Sequence, residues 1–146
     1  MYCTQADLEA RGWGEEIAGL SDKAGEMGGD VNVAILNQAI SDACAKIDSY
    51  LVGMIVLPIA TPSPFVVRCA CDLTRFYLYD IGVIENVRLA YNEAIGFFEQ
   101  VHLHKSSLLA LLGVSSIDEA SSAKTMQIPV TIAPTAFFTD SLLAKM

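Results

Sequence analysis

The sequence predicts an all-α fold. It reads as a small helical bundle in which two long central helices, joined by a proline-rich link, pack with two or more further helices, and an extended C-terminal arm follows. Three observations carry that prediction. Apolar residues recur every three to four positions over long stretches, which is the period of one helix face. Residues that start helices stand just ahead of those stretches. Prolines fall at the edges of the periodic segments or between them, where a missing N–H and a fixed φ break no helix. The stretch Ser41 to Asp80 shows all three together.

The elements follow in order. Thr4 is placed to cap a first short helix running to about Arg11, with Asp7 favourably sited in its first turn. Gly12-Trp13-Gly14 breaks it, and Glu15 to Leu20 forms a second short helix. The Gly-rich segment from Asp22 to Asp30 reads as a loop. It resembles a calcium loop only superficially, because oxygen ligands at alternate positions and a closing acid are missing. A long helix is expected from Val31 or Asn32 to Gly53, capped by Asp30 or Asn32, with Ala39, Ala43, Ile47, Tyr50, Leu51 and Met54 on its apolar stripe. Leu57 to Pro62 carries two prolines and forbids a continuous helix. Ser63-Pro64 then starts the second long helix, with Ser as the cap and Pro in the first turn. Its face runs through Phe65, Val66, Cys69, Leu73, Phe76 and Tyr77, and it is expected to end near Ile81-Gly82. A further helix covers about Ile84 to Val101 on Val87, Tyr91, Ala94, Ile95, Phe98 and Val101.

The last third changes character. Ser106 to Leu112 is a short apolar helix candidate, and Ile117 to Lys124 is small and polar. Met126 to Pro134 alternates apolar and polar residues and carries two prolines, which suits an edge strand or an arm and not a central strand. Phe137, Phe138, Leu142 and Leu143 put large apolar groups near the end of the sequence. The expected division is a helical domain over residues 1–112 and a C-terminal extension or arm over 113–146. Ile128, Val130 and Ile132 of the alternating segment, with Phe137, Phe138, Leu142 and Leu143, are the expected interface residues toward another chain.

Composition points the same way. The chain of 146 residues is 53% hydrophobic and only 18% charged, which is apolar for a free monomer and implies surface buried against other chains. No apolar run approaches the length of a bilayer span, and Leu51 to Ile59 is both short and interrupted by proline. The first residues show no basic, apolar leader, so synthesis in the cytosol is expected. The net charge is −8, and residues 1–50 hold nine acids against three bases. Without a basic stripe, gripping nucleic acid through its phosphates is not expected.

Enzymatic chemistry finds no foothold. Cys3, Cys44, Cys69 and Cys71 lack the spacing of a zinc site or disulfide framework, and buried free thiols are the simpler reading. Cys69 and Cys71 point to different helix faces. His102 and His104 diverge on a helix and have no third ligand nearby, so no metal is expected. Arg68, Asp72 and Arg75 form a charged row one turn apart, which reads as a salt-bridged helix surface. Nucleophile-elbow, phosphate-loop and paired His/Cys patterns are missing, so no catalytic residue and no cofactor is predicted.

Several strings carry a resemblance to a known family. They are Met1-Tyr2, Thr4 to Leu8 and Ala10-Arg11 at the start; Ala43, Ile47-Asp48 and Tyr50-Leu51; Leu57-Pro58-Ile59; Pro64, Val67-Arg68, Cys71 to Leu73, Arg75-Phe76 and Leu78 to Asp80; and Val87-Arg88, Tyr91 and Ala94-Ile95. In order and spacing the chain resembles the Mu-type prophage head–tail adaptor, or connector, proteins over about residues 1–101, and more loosely at Phe137 to Leu142. The resemblance implies a structural virion protein without enzymatic activity. It implies a ring of about twelve copies, matched by symmetry to a portal. Implied partners are further copies of the chain, the portal protein and a tail or stopper protein, with DNA passing through unbound and no membrane contact. The implied location is the virion neck, and the host cytoplasm during assembly. On that reading the acidic first third supplies carboxylates such as Glu15, Glu16 and Glu26 for a channel wall to which DNA does not stick, although ordinary solubilising charge explains the same acids. The other reading that the sequence leaves open is an oligomeric helical binding or regulatory module of bacterial or prophage origin.

Overall fold

Local sequence chemistry fixes each helix start. The computed structural model describes residues 1–23, 25, 29–104 and 109–113. Helix α1 (Gln5–Glu9) opens on a reciprocal capping box. The Thr4 hydroxyl accepts from the Asp7 N–H, and the Asp7 carboxylate accepts from the Thr4 N–H at 2.8 Å. Gly12, at φ +80°, turns the chain into α2 (Gly14–Ser21). Asn32 caps α3 (Val33–Leu51) by accepting from the Ala34 and Ile35 N–H groups. Ser63 caps α4 (Pro64–Leu78), with Pro64 in the first turn as its missing donor allows. Helix α5 (Glu85–His104) follows, then a 3-10 turn at Leu109–Leu112. No strand occurs among the described residues, and the fold is all-α.

Several boundaries differ from expectation: α3 stops at Leu51, short of Gly53, and α5 runs on past Val101 to His104. Helix α1 stops at Glu9, because the Gly12 N–H turns back to the Glu9 carbonyl at 2.8 Å. Helix α4 stops at Leu78, well before Gly82. Tyr79 leaves helical values for extended backbone, and its hydroxyl donates to Glu16. The apolar Ser106–Leu112 segment is a 3-10 turn over its described residues.

Helices α3, α4 and α5 run up, down and up around one core. His102, near the end of α5, lies 3.1 Å from the Tyr50 carbonyl near the end of α3, so these two helices run parallel. Leu36, Ile40, Ile47 and Leu51 of α3 meet Val66, Leu73 and Leu78 of α4 and Phe98 of α5, all essentially without solvent exposure. Helix α4 is the central member. Cys69 and Cys71 point to different faces as expected, yet both are buried, because α5 covers one side of α4 while α1 and α2 cover another. Aromatic pairs fasten α4 to α5: Phe65 meets Phe97 edge-on at 4.5 Å, and Phe76 stacks on Tyr91 at 4.0 Å. Phe76 and Tyr77 are only partly buried at this seam.

Candidate interaction surfaces

Four features outside the core could carry function: a polar clasp on the N-terminal segment, a pocket between α4 and α5, exposed apolar side chains at both ends of the bundle, and a groove along the α3–α4 link.

The clasp ties α2 to α4. Arg75 donates from Nε and from Nη2 to the two oxygens of Glu16, at 2.9 and 2.8 Å. The Tyr79 hydroxyl donates to the same carboxylate at 2.6 Å. The Arg75 guanidinium also lies over the Trp13 ring, 4.6 Å from its centroid. Burial, and then the bond to Glu16, raise the Tyr79 phenol above its ordinary value, so it stays a donor. Arg75 therefore serves Glu16 and not the expected row on α4, where Arg68 and Asp72 stand 3.7 Å apart. Of the three carboxylates considered for a channel wall, Glu15 is exposed on α2 and Glu16 is spent on this clasp. Glu26 lies outside the described residues.

A second tether holds the first residues. The Tyr2 hydroxyl donates to Asp48 and accepts the Ile59 N–H at 3.1 Å, while the Tyr2 N–H meets the Cys44 sulfur at 3.2 Å. Burial, reinforced by the bond to Asp48, pushes the Tyr2 phenol far up. Beside it the Cys3 thiol is raised strongly by its side-chain bond to Cys71 and by burial. Its sulfur also lies 3.5 Å from the Thr74 hydroxyl.

Between α4 and α5 lies a pocket of about 210 Å³. Phe65, Cys69 and Phe97 make its apolar walls, and Arg68, Asp72 and Glu93 its polar rim. Burial pushes the Cys69 thiol up to about 12, which disfavours the thiolate at neutral pH. Burial also raises the Asp72 carboxyl, against the pull of Arg68 and Arg11. No group of three or more potential metal ligands occurs among the described residues, and His102 faces the Tyr50 carbonyl. No described helix is long and apolar enough to cross a membrane.

Most of the exposed large apolar side chains stand towards the two ends of the bundle, whereas Met1, also exposed, adjoins Tyr2 beside the middle of α3. Val52, Val56 and Leu103 share the end where α3 and α5 finish. Val33, Ile81, Ile84 and Leu89 share the opposite end, and Ile81 is 92% exposed. Sequence reasoning missed these residues. Single exposed apolar side chains carry no periodic signal, and their grouping depends on how the helices run. The expected interface residues Ile128, Val130, Ile132, Phe137, Phe138, Leu142 and Leu143 lie outside the described residues, as does the whole expected arm beyond Gly113.

Comparison with known proteins gives a consistent answer. The family described as Bacteriophage Mu, Gp36 matches residues 2–130. The chain is similar to the Mu-like prophage FluMu protein gp36 of Haemophilus influenzae, at 35% identity over 86 residues that cover 59% of this chain and 58% of that protein. It is also similar to Gene product J of Escherichia phage Mu, at 33% identity over 73 residues, 50% of this chain and 52% of the relative. The matched segments thus span little more than half of these curated relatives. The match over most of its length shows that the chain belongs to the phage Mu Gp36 family.

Proposed function

We propose that this member of the phage Mu Gp36 family is a structural virion protein without enzymatic activity, a head–tail adaptor. It forms a ring in the virion neck between portal and tail and leaves a passage for DNA. The observation that carries this reading, beside family membership, is the placement of exposed apolar side chains at opposite ends of one bundle. Two different patches on one chain favour head-to-tail contacts, and such heterologous contacts close into rings when the rotation permits. An asymmetric pair of patches serves a twofold dimer poorly, because there one patch meets its own copy.

Portal, tail or stopper protein and further copies of the chain are the partners in this proposal. DNA passes without being gripped, which the net charge of −8 favours. The segment beyond residue 113 acts as an arm that leaves its own domain and is buried by another subunit.

Electron microscopy and native mass spectrometry of the chain mixed with its portal test the proposal. The expected result is a closed ring at one stoichiometry. Scattered stoichiometries with no closed ring would overturn it. Removing residues 126–146 should leave the helical circular dichroism signal intact and abolish assembly.

A further inference from the structure

The link between α3 and α4 borders an open groove of about 350 Å³. Ile55, Val56, Pro58, Ile59 and Ala60 make its apolar lining. Ile55 and Ile59 are anchored in the core, whereas Val56 is 76% exposed and Pro58 and Ala60 are also exposed. The floor is thus fixed and the rim bare. Residues 56–62 make no main-chain to main-chain hydrogen bond among the described residues, and the Ile59 N–H is taken by Tyr2. An apolar trough beside unpaired main-chain groups suits an extended apolar segment, which offers side chains to the trough and its own backbone to the link.

Gly113, the last described residue, itself lines this groove. A Cβ added there would touch the Ser63 side chain at 3.5 Å, so Gly113 itself is pressed against the start of α4. The twelve residues 114–125 that follow are mostly small or polar. Extended, they reach about 40 Å, enough to cross to an adjacent domain. They contain neither Gly nor Pro, but Ser and Asp, which also favour turns, occur among them, so it is their reach and not their composition that favours a crossing to an adjacent copy. Next comes Met126 to Pro134, whose Ile128, Val130 and Ile132 would share one face of an extended chain.

We propose that the groove along residues 55–61 is the receptor for residues 126–134 of a neighbouring copy of this chain. The inference rests on the assembly reading above and gives it a specific contact. Each domain then supplies one arm and one groove. The contact is heterologous and passes from copy to copy, and the arm's apolar face leaves water where the rim of the groove is bare.

A photo-crosslinking residue at Val56 in the full-length chain tests this, because that exposed position tolerates replacement. Equal amounts of normal and heavy-isotope-labelled chain are mixed, irradiated and mapped by mass spectrometry. The expected products join position 56 of one copy to residues 126–134 of a differently labelled copy. A chain that also carries Ile128→Asp, Val130→Asp and Ile132→Asp should lose those products by about tenfold or more, since 1.4 kcal/mol already shifts an equilibrium tenfold. Its helical circular dichroism should not change. Products confined to one label, no products in 126–134, or a yield unmoved by the three substitutions would each overturn the inference. Imaging of rings with the portal is read separately. A ring without the cross-link sinks the groove alone, and a cross-link without a portal-bound ring sinks the adaptor reading alone.

Discussion

The α3–α5 bundle and the N-terminal segment 1–23 are both buried against the same core, yet they are held by different physics. In the bundle, apolar stripes repeat along helices of 15 to 20 residues, and Ile47, Leu51, Val66, Leu73 and Phe98 interlock with no exposed surface. The N-terminal segment has two helices of five and eight residues, too short to be stable alone. It contributes Leu8 and Ile17 to the core, but its position is set by a few polar groups: Tyr2 on Asp48 and Ile59, and Glu16 between Arg75 and Tyr79. Interlocking apolar contacts that share one core hold the first region, and a few specific polar ones hold the second. Loss of one core residue should therefore weaken the whole bundle, whereas loss of one polar attachment should only detach the segment.

Ile47→Ala tests the bundle half of that contrast and should have the largest effect. Ile47 is fully buried at the centre of α3, so the loss should be about 2–5 kcal/mol. A urea midpoint shift equivalent to less than about 0.5 kcal/mol would break the comparison. Glu16→Ala comes next. It strands a mostly buried guanidinium and removes three charge-assisted bonds. The expected cost is about 1.5–3 kcal/mol, lessened by the quarter of the Glu16 side chain that solvent reaches. Hydrogen exchange should show the loss concentrated in residues 1–23, and equal loss of protection throughout α3–α5 would contradict local attachment. Tyr2→Phe keeps the ring and removes the hydroxyl that serves both Asp48 and the Ile59 N–H, at a cost of about 1–2 kcal/mol. Exchange at the Ile59 amide should speed up first.

Asp72→Asn sharpens the comparison from the other side and should be the smallest effect. Burial raises the folded-state pKa of Asp72 above its unfolded value. The protonated form is therefore the one that folding favours. Its contribution is complete below the unfolded carboxylate value and is lost as pH rises through the folded one. At neutral pH the buried charge is a liability, and Asn should stabilise by up to about 0.5 kcal/mol, the scale of substitutions outside the core. The gain should vanish in acid below the ordinary carboxylate range. A loss at neutral pH would mean that the Arg68 pair outweighs burial.

Legibility in the sequence follows the same division. The bundle was legible: the stripe through Ala39, Ala43, Ile47 and Leu51 faces the core as its spacing predicts, and the Thr4, Asn32 and Ser63 caps work through their own side chains. The attachments were not. Tyr2 and Asp48 are separated by 46 residues and Glu16 and Arg75 by 59, and no local period marks such pairs. The charged row on α4 looked self-contained, but Arg75 turns to α2. Tyr79 ends α4 early for the same carboxylate.

By itself, then, the sequence determined where helices begin, which face of each is apolar, and that prolines separate α3 from α4. Those properties arise from covalent geometry and from hydrogen bonds within a few residues, so they act before any long-range contact forms. Its strings, in their order, also determined the resemblance to Mu-type phage proteins. Tertiary structure alone decided that α4 is buried on several sides, which partner Arg75 takes, that exposed apolar residues gather at two opposite ends, and that the link and Gly113 border one groove. Each of these depends on the distance between residues far apart in the chain, which only the packing of one helix against another sets.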